Sequence, residues 1–406
     1  MPVHLNPIKH RNPLMSVWSG GFMRAPSFVL TVCIGSLGVL GMTGCGSSGP
    51  PPNLAVVQTT NLGTIGSNPK ILGRDGGYSG MFAGNSVWVY GDTFLAKPNA
   101  EGETLISDSW ASTTDLDAAH GITGFQERED ATGAPTMLLS LTAAEQAFNA
   151  AHQGNPCQQQ PCGARWALWP GAVVSDTARS RALVFYQLVA AQPGNFNFAA
   201  VGYSVAIWQS FAGQPQRPNI NPRVDHPDLL FGQNDPSFGT AAFADGDTLY
   251  AYGCNSSNLD VPCVLGRVGL ANVLEVSAWS FYAGNGNWSS QPGDAVTVLN
   301  AAPIMNVSWN EYLQSYVAVY SAPFSQHVMM RTSPKPEGPW SREITAFDAL
   351  PPANGGSSVH DAQAHPEFNG NGGEVMYVTY SHSTGAFTSE LQLVSVQLKA
   401  VNTQGQ

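Results

Sequence analysis

Residues 73–96, GRDGGYSGMFAGNSVWVYGDTFLA, decide how the rest of the chain is read. Residues 78–83 form a first strand, Gly84-Asn85 a tight turn that needs positive φ, and residues 86–90 a second strand rich in β-formers. An aspartate stands at each open end, Asp75 before the first strand and Asp92 after the second. The two are nearly symmetric about the turn, so antiparallel pairing sets them across from each other. Opposed side chains in such a pair have Cβ atoms about 5 Å apart. Two carboxylates at one mouth, beside glycines and aromatics, mark a candidate active-site floor.

Working outward, the same strand–turn–strand pattern recurs. It appears at residues 171–208, 237–268, 304–332 and 362–398, each time with a third strand. Five such sets at a period of about 60 to 70 residues point to an all-β, five-bladed propeller. A β-sandwich is the rival, but its strands would not regroup into five similar sets. The period breaks across residues 115–163, which read as an insertion between the first and second blades. Within it, Thr142-Ala143-Ala144-Glu145 is a capping box that opens a short helix to about Ala151. In a propeller, residues just before each inner strand converge on one face. Here they are Asp75, Trp169-Pro170, Asn234-Asp235, Asn306 or its neighbours, and the His360–His365 segment. That mixture of carboxylates, aromatics, an amide and imidazoles describes a ligand pocket.

The composition agrees with many short strands. Of 406 residues only 11% are charged, while 43 are Gly and 29 Pro. The net charge of −11, with 17 Lys and Arg, excludes nucleic acid as a partner, because phosphate binding needs basic side chains. Arg24 precedes an apolar run over residues 28–42, too short for a membrane span and right for a signal-peptide core. The run ends in Met42-Thr43-Gly44-Cys45, which resembles the lipobox of bacterial lipoproteins. In that family the cysteine is lipidated and becomes the mature N-terminus. The reading is therefore a lipoprotein signal over residues 1–44, a lipidated Cys45 and tether over 45–70, and one propeller domain over 71–400. It implies an exported monomer at the cell envelope that meets the membrane through its lipid alone.

Cys33 lies in the signal core and Cys45 in the lipobox, which leaves Cys157, Cys162, Cys254 and Cys263. Of three possible connectivities the local pairs, Cys157–Cys162 and Cys254–Cys263, are the simplest for an exported chain. A zinc site is the rival, but no histidine lies close in sequence to complete it. No cofactor motif is present: there is no Walker loop, dinucleotide fingerprint, His-Glu-x-x-His or Gly-x-Ser-x-Gly elbow.

Residues 73–96, 235–253 and 306–320, with Gly338-Pro339-Trp340-Ser341 and His365-Pro366, resemble a bacterial family of formerly unknown function. Its members are five-bladed propellers related in shape to furanosidases, and some are endo-D-arabinanases. The resemblance implies a glycoside hydrolase acting on a polysaccharide, with Asp75 and Asp92 as its catalytic pair. One carboxyl would protonate the leaving oxygen and the other act as nucleophile or base. Tyr78 and Trp169 are the expected sugar platforms, ahead of Trp166 and Trp288. Asp235 is expected to tune the pair or bind a hydroxyl, with a turn-opening role as the alternative. His360, Asp361 and His365 are expected before the fifth inner strand at the pocket, with His365 as a substrate-binding candidate and with structural hydrogen bonding or the holding of an ion or a water as the other roles. No complete metal-ligand set is legible there. A non-catalytic glycan- or protein-binding propeller is the competing reading.

Overall fold

A computed structural model describes residues 49–194, 197–220, 226–255, 260–353 and 359–401. The apolar run and Cys45 lie outside the described residues. Among those described, no helix is long and apolar enough to cross a membrane.

The chain forms five antiparallel sheets arranged as the blades of a propeller. The first blade holds Ile71–Phe82, Asn85–Leu95, Ser109–Thr113 and Gln126–Glu127, in that order from the centre outward. The second runs from Arg165–Asp176 through Arg181–Ala191 and Phe198–Trp208 to Phe231–Gly232. Phe238–Asp245, Met305–Asn310 and His360–Ala364 begin the remaining three. These five first strands pack side by side around the axis. Glycines allow that approach. A Cβ on Gly171 would stand 2.6 Å from the Gly239 carbonyl oxygen, and one on Gly80 would stand 2.5 Å from that of Val173.

The hairpin is longer than its sequence implies. Its first strand begins at Ile71, so Asp75 lies inside a strand rather than before it. Phe82 pairs with Asn85, and the turn is Ala83-Gly84, with φ of 49° and 80°, one residue earlier than expected. Positive φ at both central residues matches the twist of the flanking strands. The strand packs into the core beneath: Val87, Trp88 and Val89 are fully buried.

Residues 45–70 are not simply a tether. Leu54–Ile65 pairs antiparallel with Thr388–Ala400 and forms the outermost strand of the fifth blade. The last blade is thus built from both ends of the folded chain, which closes the ring and covers an edge that would otherwise be unpaired. Residues 115–163 are not wholly an insertion either, because Gln126–Glu127 belongs to the first blade. The helix Ala143–His152 follows it, before the second blade. Thr142 Oγ1 accepts from the Glu145 amide at 3.3 Å, and the Glu145 carboxylate accepts from the Thr142 amide at 2.8 Å. Arg217 reaches the same carboxylate at 2.7 and 2.9 Å, fastening the helix to the second blade.

Both local disulfides are formed, Cys157–Cys162 and Cys254–Cys263. The second joins residues directly opposite in neighbouring strands of the third blade.

Candidate active site

Asp75 and Asp92 meet at a bulge. The register runs Arg74 with Thr93 and then Gly76 with Tyr90, so Asp75 alone opposes Gly91 and Asp92. A bulge re-aims side chains out of the regular ladder, and here both aspartates line one cleft of about 540 Å³. Their surroundings differ sharply. Asp92 has a side chain 21% exposed and is held from the second blade. Arg165 Nη2 donates to its two oxygens at 3.1 and 3.3 Å, and Trp169 Nε1 donates to Oδ1 at 3.1 Å. Burial raises the Asp92 carboxyl above the usual aspartate value. The Arg165 charge and the hydrogen bonds from Trp169 and Arg165 offset only part of that rise, and the nearby Asp75 adds to it. Asp75, by contrast, has a side chain 62% exposed to the cleft.

The fifth blade supports Asp75 from the other side. Asp361, at a left-handed φ of 61°, accepts a hydrogen bond from the Gly76 amide at 2.9 Å. His360 Nε2 lies 3.8 Å from Asp75 Oδ1 and 3.6 Å from Asp361 Oδ2. Asp361 foremost lifts the His360 imidazole to about 9, against burial, so His360 is cationic at neutral pH. Asp361 is itself raised by burial, with His360 opposing. Asp75, His360 and Asp361 each bring one ligand atom within 4.8 Å of the others, a spacing able to hold a metal ion.

Of the other expected residues, Tyr78 and Trp169 line the cleft. Trp169 is half-buried and packs edge-on against Phe198, with centroids 4.8 Å apart. Tyr78 is buried, and burial raises its hydroxyl pKa. Asp235 is not part of the cleft lining. Its carboxylate accepts from the Gly232 amide at 2.7 Å, closing the turn that leads into the third blade. His365 is not part of it either. It is fully buried, with Nδ1 2.6 Å from Ser79 Oγ and Nε2 2.7 Å from Thr379 Oγ1, and it lies over Trp88. Burial lowers its pKa to about 3, so it is neutral and structural. Asn306 is likewise absent from the lining, where its neighbours Pro303 and Ile304 stand instead. Trp288 lies against Arg267, whose guanidinium carbon is 3.8 Å from its ring centroid, on the third blade.

Sequence reasoning missed Arg165, Phe198, Tyr203 and Asp108. Arg165 had a signal: it sits four residues before Trp169, on the same approach to an inner strand. Asp108 had none. It is fully buried, accepts from the amides of Leu138 and Leu139 at 2.6 and 3.2 Å, and lies near enough to Asp92 to sense its charge. Burial pushes its carboxyl up to about 7.

Residues 66–385 match the family described as domain of unknown function DUF4185. The chain belongs to this family. No curated protein matches it. Among solved structures, the DUF4185 chain is similar to a candidate hydrolase from Bacteroides ovatus ATCC 8483. That pair is 14% identical over 82% of this chain and 87% of the other, with a TM-score of 0.55. It is also similar to an α-L-arabinofuranosidase from Podospora anserina in complex with cellotriose. There the identity is 11%, over 86% of this chain and 98% of the other, with a TM-score of 0.44. A family 117 glycoside hydrolase from Zobellia galactanivorans is 10% identical, over 88% and 96%, with a TM-score of 0.46. The first of these likenesses extends to the fold; the chemistry rests on the cleft.

Proposed function

We propose that this DUF4185 protein is a glycoside hydrolase that cleaves a furanose-containing polysaccharide, with an arabinan-type chain as the leading substrate. The observation that carries the reading is the unequal environment of two aspartates at one bulge. Asp92, desolvated and oriented by Trp169 and Arg165, is the proton donor. Asp75, open to the cleft beside the cationic His360, is the nucleophile or base. Phe198, Trp169 and Tyr203 supply aromatic surface on which sugar faces stack. Incubating the purified protein with arabinans and a panel of other polysaccharides, and measuring reducing ends, tests the proposal. Release from a furanose-containing polymer supports it, and inertness across the panel contradicts it.

One observation favours binding without turnover. Arg165 pairs with Asp92, and an ion pair stabilises the charged form of a group assigned to hold a proton. On that reading the panel yields complexes and no cleavage.

The protein is further proposed to be exported and held at the cell envelope by a lipid on Cys45. The lipobox-like Met42-Thr43-Gly44-Cys45 supports this, and the two disulfides suit an oxidising compartment.

A further inference from the structure

The chain enters the propeller on the face opposite the cleft, and the strand register of the fifth blade shows this. His360, in the cleft lining, pairs with Ser381; Ser381 pairs with Leu391, and Leu391 with Ile65. That row marks the cleft end of the blade. Leu54 stands at the other end of the same 12-residue strand as Ile65, opposite Ala400. The two ends are separated by roughly 35 Å of extended strand.

Contacts with the fourth blade place the entering residues on the same far face. Asn53 Nδ2 donates to the Leu313 carbonyl at 3.3 Å and to Ser315 Oγ at 2.9 Å. The Pro50 carbonyl accepts from the Arg342 amide at 2.8 Å, and a Cβ on Gly49 would stand 2.6 Å from the Trp340 carbonyl oxygen. Pro303 and Ile304 line the cleft just before the inner strand Met305–Asn310, so the turn after that strand, which carries Leu313, lies away from the cleft. Ser333 pairs with Tyr316 beside that turn, so the segment that follows it, with Trp340 and Arg342, leaves from the same end.

The entry point is flanked by two exposed aromatic side chains, Trp309 at 41% and Tyr312 at 37%. Rings with an apolar body and a polar tip favour the boundary between bilayer and water. Cys45 lies four residues before Gly49, a stretch that spans at most about 14 Å even when fully extended.

We propose that the face carrying Trp309, Tyr312 and the entering chain rests on the lipid bilayer, so that the cleft opens away from it. The proposal rests on the lipid at Cys45. About 14 Å of chain brings this face to the headgroups, but it is too short to pass roughly 35 Å of blade and turn the cleft toward them. The bilayer thus backs the propeller, and a polymer reaches Asp75 and Asp92 from the opposite side.

The test is photo-crosslinking in bacterial cells that express the full chain, with a benzophenone-bearing phenylalanine analogue replacing Trp309, Tyr312 or Phe387 one at a time. Phe387 is the control: it is 66% exposed and packs against Phe94 on the cleft side, with ring centroids 5.0 Å apart. All three positions are on the surface, and thermal melts of the purified variants verify folding. Phospholipid adducts are expected at Trp309 and Tyr312 and none above background at Phe387, with the adducts lost when Cys45→Ser is added. Membrane-bound protein that gives no lipid adduct at either Trp309 or Tyr312, adducts there to protein alone, or lipid adducts at Phe387 equal to theirs, overturns the orientation and leaves the anchor standing. Protein with Cys45 intact that is absent from the membrane fraction overturns the anchor, and the orientation with it.

Discussion

Trp169 donates its indole N–H to the Asp92 carboxylate at 3.1 Å, from the inner strand of the second blade to the second strand of the first. The tryptophan thus orients the group assigned to protonate the leaving oxygen, and it favours the ionised form of that group. Trp169→Phe keeps the ring and removes the donor. Asp92 then holds its proton more firmly, because a hydrogen bond to the charged form is gone. With about 1.5 kcal/mol lost from a charge-assisted bond, the alkaline limb of the kcat/KM profile moves up by about one pH unit. An unmoved limb in a folded, active variant means that Asp92 is not the acid.

Asp108 predicts a pH dependence of stability. Burial holds its folded-state carboxyl at about 7, above the value in the unfolded chain. Between about 4 and about 7, therefore, the folded protein keeps a proton that the unfolded chain has released. Stability falls as pH rises through that window, by at most about 1.4 kcal/mol per pH unit from this group. Asp108→Asn cannot titrate, and its side-chain oxygen still accepts from the Leu138 and Leu139 amides. Urea unfolding is expected to show the variant gaining on the wild type as pH rises from about 4 to about 7. Parallel curves for the two proteins contradict the assignment.

Where the sequence was legible, the interactions were local. The hairpin of residues 71–95, the Thr142–Glu145 capping box and both cysteine pairs join residues close in the chain, so their patterns survive in a linear reading. What failed was remote or rotational. Leu54–Ile65 finds its partner in Thr388–Ala400, at the other end of the fold, and its residues are mostly polar or half-buried. Asp235 does precede an inner strand, whereas His365 follows the inner strand His360–Ala364 instead of leading into it, and the direction of each side chain is set by the local turn or pleat. A closing turn captures the first and the packed interior the second. The propeller pattern does bring the His360–Asp361 segment to the cleft beside Asp75, but the hydrogen bond from the Gly76 amide to Asp361, across 285 residues, is set by how the blades pack and is not legible in either segment.

Anchoring is tested by Cys45→Ser in bacterial cells that express the protein. The substituted protein should move from the membrane fraction to the soluble fraction, since the apolar run over residues 28–42 is too short to hold it alone. Retention in membranes equal to that of the wild type contradicts a lipid on Cys45.

The catalytic role of the paired aspartates is tested most directly by turnover of the glycan substrate by Asp75→Asn and Asp92→Asn beside the wild type, with thermal unfolding measured on all three. Each asparagine keeps the size of the side chain and removes the charge or the labile proton. The expected result is a loss of at least about a hundredfold in kcat for each, in line with the contribution of a positioned acid or base, with melting temperature and glycan affinity little changed. If both variants are well folded and turn over at the wild-type rate, the paired aspartates are not the catalytic groups.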